Sequence, residues 1–302
     1  MRVLVTGGAG FVGTNLIKRL LKDDHEVVSV DNYSTGKKEN EQDGCEYFDR
    51  DLSNVNWWSL YDVCQCELTC DCQIEPVDVI YHLAALARIQ PSFKDPMKYL
   101  SIDIMGTSHV CELARRCNAK IVYAGSSSAF GGPMLNPYAF AKYTGEQVCE
   151  MFSQVFGLKC SIARFFNVYG ERQPTTGPYA TVVGVCEKQY SEKKPLTVTG
   201  TGNQRRDFTH IDDIVDAMMR VVYCNKWGSV YELGRGKNYS INEVAEMFLT
   251  NGEFSGISYK DPIYIDEIPG ETRNTLCKSE LARKKLKWEP KINLKDWIGE
   301  QI

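Results

Sequence analysis

The sequence predicts an α/β fold, a doubly wound parallel sheet followed by a smaller, discontinuous C-terminal lobe. Three observations carry this prediction. A glycine cluster stands between a short apolar run and a helical stripe, such runs and stripes then alternate along the first half, and the alternation breaks after Gly170 before resuming near Ile211. Short apolar runs alternating with helices imply parallel strands covered on both faces.

Val3-Leu4-Val5 opens the chain as a buried strand, and Val12, Leu16 and Leu20 mark the helix behind the glycines. Val27-Val28 with Val30 makes the second strand;. Val77 to Leu83 reads as another buried strand, and Met97, Leu100, Ile104, Cys111 and Ala114 as a helical stripe. Ile121-Val122-Tyr123 is the next strand; Tyr138 to Phe156 is a helix with Val148, Phe152 and Val155 on one face; and Cys160 to Phe166 is again strand;. The segment Gln173 to Asp207 is richer in Pro, Gly and Thr, after which a helix from Ile211 to about Tyr223 and a strand over Val230 to Leu233 restore the rhythm;. The expected division is a first domain over 1–166, resumed at about 208–236, with a second lobe drawn mostly from 167–302. The basic runs Lys37-Lys38 and Arg283 to Lys287 read as solvated faces;.

With 302 residues, 43% hydrophobic and 25% charged, the chain can bury a sizeable core, which argues against disorder and small disulfide scaffolds;. A net charge of -4 gives no electrostatic reason to expect nucleic acid or an anionic membrane;. No apolar run approaches the roughly 20 residues of a membrane span, and the N-terminus reads as a buried strand, not a signal core, so a cytoplasmic protein with a small-molecule partner is expected. Most of the 12 cysteines sit singly in periodic segments and read as free thiols;. Cys64, Cys66, Cys70 and Cys72 are crowded, but Cys-x-Cys is not the Cys-x-x-Cys of structural zinc and no histidine is near;. A surface insertion is preferred there. With His25, His82, His109 and His210 scattered, no metal is expected.

Gly7-Gly8-Ala9-Gly10-Phe11-Val12-Gly13 gives Gly-x-x-Gly-x-x-Gly between the first strand and helix. There a tight turn and an unencumbered helix N-terminus can approach a pyrophosphate, the dinucleotide-binding (Rossmann) signature. Asp31 ends the second strand roughly 20 residues on, where a carboxylate accepts from both ribose hydroxyls and repels a 2'-phosphate. NAD is therefore expected over NADP.

These motifs, with Asp31-Asn32, Asp51-Leu52, His82-Leu83-Ala84-Ala85, Ser126-Ser127-Ser128, Tyr138-Ala-Phe-Ala-Lys142, Arg164-Phe-Phe-Asn167-Val-Tyr-Gly170 and Arg206-Asp207-Phe208, are an ordered set. In that set the chain resembles the extended short-chain dehydrogenase/reductase family, in particular its nucleotide-sugar epimerases and dehydratases. The resemblance implies that Gly7, Gly10, Phe11, Val12, Gly13, Asp31 and Asn32 bind NAD, that Asp51 and Leu52 border the adenine, and that Leu83, Ala84 and Ala85 line the cofactor cleft. It further implies that Asn167 and Arg206 hold the diphosphate of a nucleotide sugar, and Glu271 the nucleotide ribose. Ile268 stands where an arginine usually precedes the Glu271 motif, and Thr275 lies near a position whose size governs room for an N-acetyl group.

Tyr138 and Lys142 are four residues apart near a helix start, so both side chains share one face;. Spacing alone describes an ordinary helix surface; the glycine motif and the serines favour an acid-base pair that also contacts the cofactor. A tyrosine near pKa ~10 must fall by about 3 units to act as a base at neutral pH, roughly 4 kcal/mol. A unit charge about 4 Å away at an effective dielectric near 20 supplies about 4 kcal/mol, so Lys142 with a positive nicotinamide suffices. Ser126 follows a strand and is placed to share a hydrogen bond with the reacting sugar oxygen, with Ser127 and Ser128 as alternatives. The family's tyrosine landmark, here Phe130, selects Ser126.

In relatives that eliminate water, an acidic pair occupies the next two positions. Serines at 127 and 128 cannot do that proton work near pH 7, which weakens a 4,6-dehydratase reading;. The resemblance therefore implies an NAD-dependent 4-epimerase acting through a transient 4-keto sugar, with a dehydratase or decarboxylase as alternative and a catalytically silent NAD-binding regulator as an alternative of another class. Ser126 and Tyr138 are only 12 positions apart, shorter than usual for the family. Asp103 replaces the family's asparagine before Gly106-Thr107, where a carboxylate either alters binding near the nicotinamide ribose or faces solvent. Relatives commonly dimerise through two helices, so Asp95 to Cys117 and Ala141 to Phe156 are candidate homodimer faces, unless their stripes are buried within the subunit.

Overall fold

The computed structural model describes residues 1–54, 76–224, 226–254, 261–267, 269–270 and 272–301, without the side chains of 251–254. Strand β1 (Arg2–Thr6) leads through the glycine turn into helix α1 (Phe11–Lys22), followed by β2 (Glu26–Asp31), β3 (Cys45–Asp49) and β4 (Val79–His82). Helices α2 (Ile89–Lys94) and α3 (Pro96–Tyr99), a π-helical stretch (Leu100–Met105) and α4 (Gly106–Cys117) lead to β5 (Lys120–Ser126). Next come α5 (Pro137–Phe156), β6 (Cys160–Phe165), β7 (Asn167–Tyr169), α6 (Val182–Ser191), β8 (Thr197–Thr199) and β9 (Arg205–His210). The chain closes with α7 (Ile211–Tyr223), β10 (Val230–Leu233), β11 (Asn238–Ser240), α8 (Ile241–Phe254), β12 (Ile263–Ile265), α9 (Leu281–Leu286) and α10 (Leu294–Gln301).

Seven strands form one parallel sheet in the order β10-β6-β5-β4-β1-β2-β3. The order reverses between β1 and β4, and a crevice opens at the carboxyl ends of strands at such a reversal. The central runs are apolar throughout because both faces are covered: Leu16, Ile17, Ile214 and Met218 from α1 and α7 pack one side, and Val110, Cys111, Cys149 and Phe152 from α4 and α5 the other;. A third cluster, including Tyr169, Tyr190, Phe248 and Ile298, holds together the elements after β6. There β11-β9-β7 and β12-β8 form two small sheets.

Three expectations need correction, and one strand was missed. The stripe from Met97 to Ala114 is broken by the π turns, which insert residues into the helical repeat and rotate the face. Met97 is consequently exposed, while Tyr99, Asp103, Val110 and Cys111 point inward. Val155 is also exposed, because the inner face of α5 runs through Ala141, Gly145, Cys149 and Phe152. Edge strand β3 lacks a sustained apolar run and was not signalled. Arg283 is mostly covered, donating from Nη2 to the Arg235 carbonyl at 2.9 Å, so its basic run is not wholly a solvated face.

The described cysteines, including Cys111, Cys117, Cys149, Cys160, Cys186 and Cys224, are free thiols. Cys64, Cys66, Cys70 and Cys72 lie outside the described residues. Among the described residues no three His, Cys, Asp or Glu side chains converge as a metal site, and no helix is long and apolar enough to cross a membrane.

Candidate active site

The glycine turn is fixed by backbone geometry. Gly7 has φ +75°, and a Cβ there would lie 2.8 Å from the Ala84 nitrogen. Gly10, at φ -82°, caps α1 without a side-chain hydrogen bond. Among the described residues, a Cβ on Gly10 would meet within 4 Å only the Gly7 carbonyl oxygen, at 3.2 Å. The first amides of α1, at Phe11, Val12 and Gly13, thus border an open cradle with the positive end of the helix behind it. Asp31 stands beside this cradle, accepting from the Ala9 amide at 2.9 Å and the Tyr33 amide at 2.8 Å. Burial pushes its carboxyl up, against the pull of those two amides. Asn32 donates to Asp51 at 3.2 Å, and Leu52 is buried against Gly106 at the start of α4.

At the switch point, Thr6 Oγ1 accepts from the Leu83 and Ala84 amides, each at 3.2 Å. Its hydroxyl lies 2.7 Å from His82 Nδ1, and His82 Nε2 lies 3.0 Å from Thr107 Oγ1, which donates to the Asp103 carbonyl. One set of proton positions satisfies the whole chain: Thr6 donates to Nδ1, and Nε2–H donates to Thr107. Burial holds this imidazole neutral, its pKa pulled down to about 3.

Tyr138 enters from the first turn of α5, where Pro137 takes the first helical position and Asn136 caps the end by accepting from the Ala139 amide at 2.8 Å;. Its hydroxyl donates to Ser126 Oγ at 3.2 Å, and Ser126 Oγ also accepts from the Ser128 amide at 3.2 Å. Of the three serines, Ser126 is therefore the one joined to Tyr138. Lys142 is buried one turn on, with Nζ 4.4 Å from the centre of the Tyr123 ring. Arg88 is a cation that acts on Tyr138, beside the Lys142 and positive nicotinamide expected from the sequence. Burial raises the Tyr138 phenol, opposed by the Ser126 hydrogen bond and Arg88. Arg88 was missed. It follows an apolar stretch after β4, adopts φ +83°, and donates from Nε to the Tyr179 carbonyl at 3.2 Å. A charged residue closing Ala84-Ala85-Leu86-Ala87 was the available signal.

Two clefts meet here. One, of about 510 Å³, is lined by the glycine turn, Asp31, Asp51 and Leu83 to Ala85. The other, of about 490 Å³, is lined by Ser126, Tyr138, Asn167, Arg206 and Thr275. Ala87, Arg88 and Thr181 line both, so the clefts adjoin. Asn167 and Arg206 come from β7 and β9, which lie in one small sheet. Thr275 is buried beside Arg205, its amide donating to the Arg205 carbonyl at 3.1 Å. Phe130 stacks on Phe166 at 5.6 Å and lies 5.3 Å from the Arg164 guanidinium carbon. Glu271 and Ile268 lie outside the described residues. Asp103 is 1% exposed, which excludes the solvent-facing alternative.

The model of the NAD dependent epimerase/dehydratase family matches residues 3–234. The chain is 29% identical to a putative UDP-glucose 4-epimerase of Methanocaldococcus jannaschii, over 99% of this chain and 97% of that one. Among solved structures it resembles the UDP-glucose 4-epimerase of Thermotoga maritima with UDP-glucose, at TM-score 0.88 and 27% identity, covering 99% and 96% of the two chains. It also resembles the UDP-glucuronic acid 4-epimerase of Bacillus cereus with UDP-glucuronic acid and NAD, at TM-score 0.85 and 29% identity, over 99% and 96%. The chain belongs to the NAD-dependent epimerase/dehydratase family, as its motifs implied. It is an enzyme of that family, and its cofactor is NAD.

Proposed function

We propose that the chain is a nucleotide-sugar 4-epimerase that works through a transient 4-keto sugar, with Tyr138 as its acid and base. The observation that carries this reading is the Tyr138–Ser126 hydrogen bond of 3.2 Å, set in the cleft that adjoins the dinucleotide cradle. Gly7, Gly10, Phe11, Val12 and Gly13 are assigned the cofactor's pyrophosphate, and Asp31 and Asn32 its adenosine ribose. Asp51 and Leu52 are assigned the adenine, and Leu83, Ala84, Ala85 and Lys142 the nicotinamide half. The open Gly10 cradle fits such a group. Oxidised NAD supplies the acceptor for a hydride from carbon 4 and a positive charge near the reacting oxygen. Tyr138 takes the 4-hydroxyl proton, Ser126 holds that oxygen by a shared hydrogen bond, and Tyr138 later returns the proton. Asn167 and Arg206 are assigned the diphosphate, a guanidinium and an amide suiting its oxygens, and Glu271 the nucleotide ribose. Anchoring the nucleotide leaves the sugar free to turn and present its other face.

Ser127 and Ser128 support epimerisation over dehydration, since among the described residues no acid or base hydrogen-bonds to either hydroxyl;. The test is an NMR screen of purified protein with NAD against UDP-, GDP- and dTDP-hexoses. Epimerisation at carbon 4 is the expected result; unchanged sugars overturn the reading, and loss of water or carbon dioxide by mass spectrometry establishes the dehydratase or decarboxylase instead. We further place the cofactor domain at 1–166, resumed at about 208–236, with 167–302 mostly the substrate lobe; β10 pairing with β6 in the large sheet supports the resumption. A homodimer is supported by the exposed apolar side chains Tyr143, Met151 and Val155 at four- and eight-residue spacing along α5;. Light scattering tests it. Free thiols suit a reducing, cytoplasmic setting;.

A further inference from the structure

Asp103 is a buried acid on a segment that packs against α5, the helix of Tyr138 and Lys142. It sits in the π-helical stretch Leu100–Met105, and π turns recur at functional sites;. One carboxyl oxygen, Oδ1, accepts from the Leu86 amide at 2.7 Å, and the other, Oδ2, is buried without a hydrogen-bond partner among the described residues. An asparagine here would keep the Leu86 contact without a charge. An aspartate adds a charge whose second oxygen no described residue satisfies, an arrangement that is costly unless a proton or a nearby cation compensates;.

The cation facing it is Lys142 of α5, which also faces Glu146 and Cys149 on its own helix and His82 of β4. Tyr138 of α5, Tyr99 of α3 and Tyr123 of β5 feel the Asp103 charge as well, and Arg88, from the loop after β4, opposes it at Tyr138. The Tyr99 and Tyr138 rings meet edge-on at 6.3 Å, closing the cluster.

We propose that Asp103 is a positioning residue that sets the charge of the acid-base centre: ionised, it holds Lys142 protonated and resists loss of the Tyr138 proton, and protonated it does neither. The carboxyl is poised for this, because burial lifts it to about 7 against the pull of Lys142 and the Leu86 amide. The proposal rests on Tyr138 being the acid and base of the reaction, but its test reads ionisation and not turnover.

The experiment is an ultraviolet titration of tyrosinate in the NAD-loaded protein, with the same titration of Tyr138→Phe subtracted to isolate Tyr138. Asp103→Asn is expected to move the Tyr138 ionisation down by about one pH unit, the effect of one charge several ångströms away through an effective dielectric near 20. The acid limb of the rate profile moves with it. A second measurement needs no change at Asp103: in protein labelled with carboxyl-¹³C aspartate, Lys142→Met is expected to raise the midpoint of the buried aspartate by a similar amount. A Tyr138 ionisation that stays put in folded Asp103→Asn overturns the proposal, as does an aspartate midpoint indifferent to Lys142→Met. Turnover surviving Tyr138→Phe would instead defeat the underlying assignment, so the two failures are distinguishable.

Discussion

Replacing Gly10 by alanine separates the cofactor cradle from the fold that builds it. Gly10 has a negative φ of -82°, which alanine adopts freely, and a Cβ there would meet, among the described residues, only the Gly7 carbonyl oxygen at 3.2 Å. The cofactor-free protein should therefore change in stability by less than about 1 kcal/mol. The methyl instead projects into the space assigned to the pyrophosphate. Overpacking of that kind costs about 1–3 kcal/mol, or roughly a 5- to 150-fold weaker NAD dissociation constant. Gly7→Ala is the contrasting case. Its φ of +75° and approaches of 2.8 and 2.9 Å to the Ala84 backbone leave the methyl nowhere to go. Left-handed strain of about 1–2 kcal/mol adds to the overpacking, for a total of about 3 kcal/mol of lost stability. Urea unfolding without NAD and calorimetric NAD titration measure both quantities. Undiminished NAD affinity in Gly10→Ala, or a loss of stability as large as that of Gly7→Ala, would refute the reasoning.

Three other outcomes are expected. Tyr138→Phe removes the proton acceptor but not the ring, so turnover should vanish while bound NAD, measured after denaturation, remains stoichiometric; retained turnover contradicts the role. Glu146→Gln removes the charge and one of the two acceptors that hold Arg164, whose Nε donates to Glu146 Oε1 at 3.1 Å, and should cost about 2 kcal/mol in denaturant unfolding, softened by the remaining Glu232 partner at 3.6 Å;. His82 titrates near 6.5 when unfolded but only near about 3 when folded, so between those values the unfolded chain binds the extra proton and stability falls as pH falls;. Unfolding free energies measured over that window should lose part of their slope in His82→Asn, and an identical slope would place the acid sensitivity elsewhere.

How far the sequence revealed this molecule depended on whether a feature was local. The strands of the large sheet are buried on both faces, so β1, β4 and β5 declare themselves as near-continuous apolar runs, and β2 and β6 as apolar runs interrupted by Ser29 and Ser161;. Edge strand β3, half-covered and mixed in polarity, gave no such signal. The glycine turn was legible because its geometry is imposed over seven consecutive residues. What Tyr138 and Lys142 face was not, since helix spacing fixes a shared side but says nothing of what approaches from other elements. Hence Lys142 lies over Tyr123 of β5, and Arg88 from a strand-end loop acts on Tyr138. The burial of Asp103 was hidden for a related reason. A π turn shifts which side chains point inward without any residue type that announces it;.

The most direct test follows one hydrogen. A nucleotide hexose carrying deuterium at carbon 4 should be converted to its 4-epimer with the label still on that carbon, and with no deuterium acquired at any carbon when unlabelled sugar reacts in D₂O. Label lost to solvent, or solvent deuterium appearing at carbon 5, would mean that the centre is not inverted by oxidation and reduction at carbon 4, and the account of Tyr138 would fail with it.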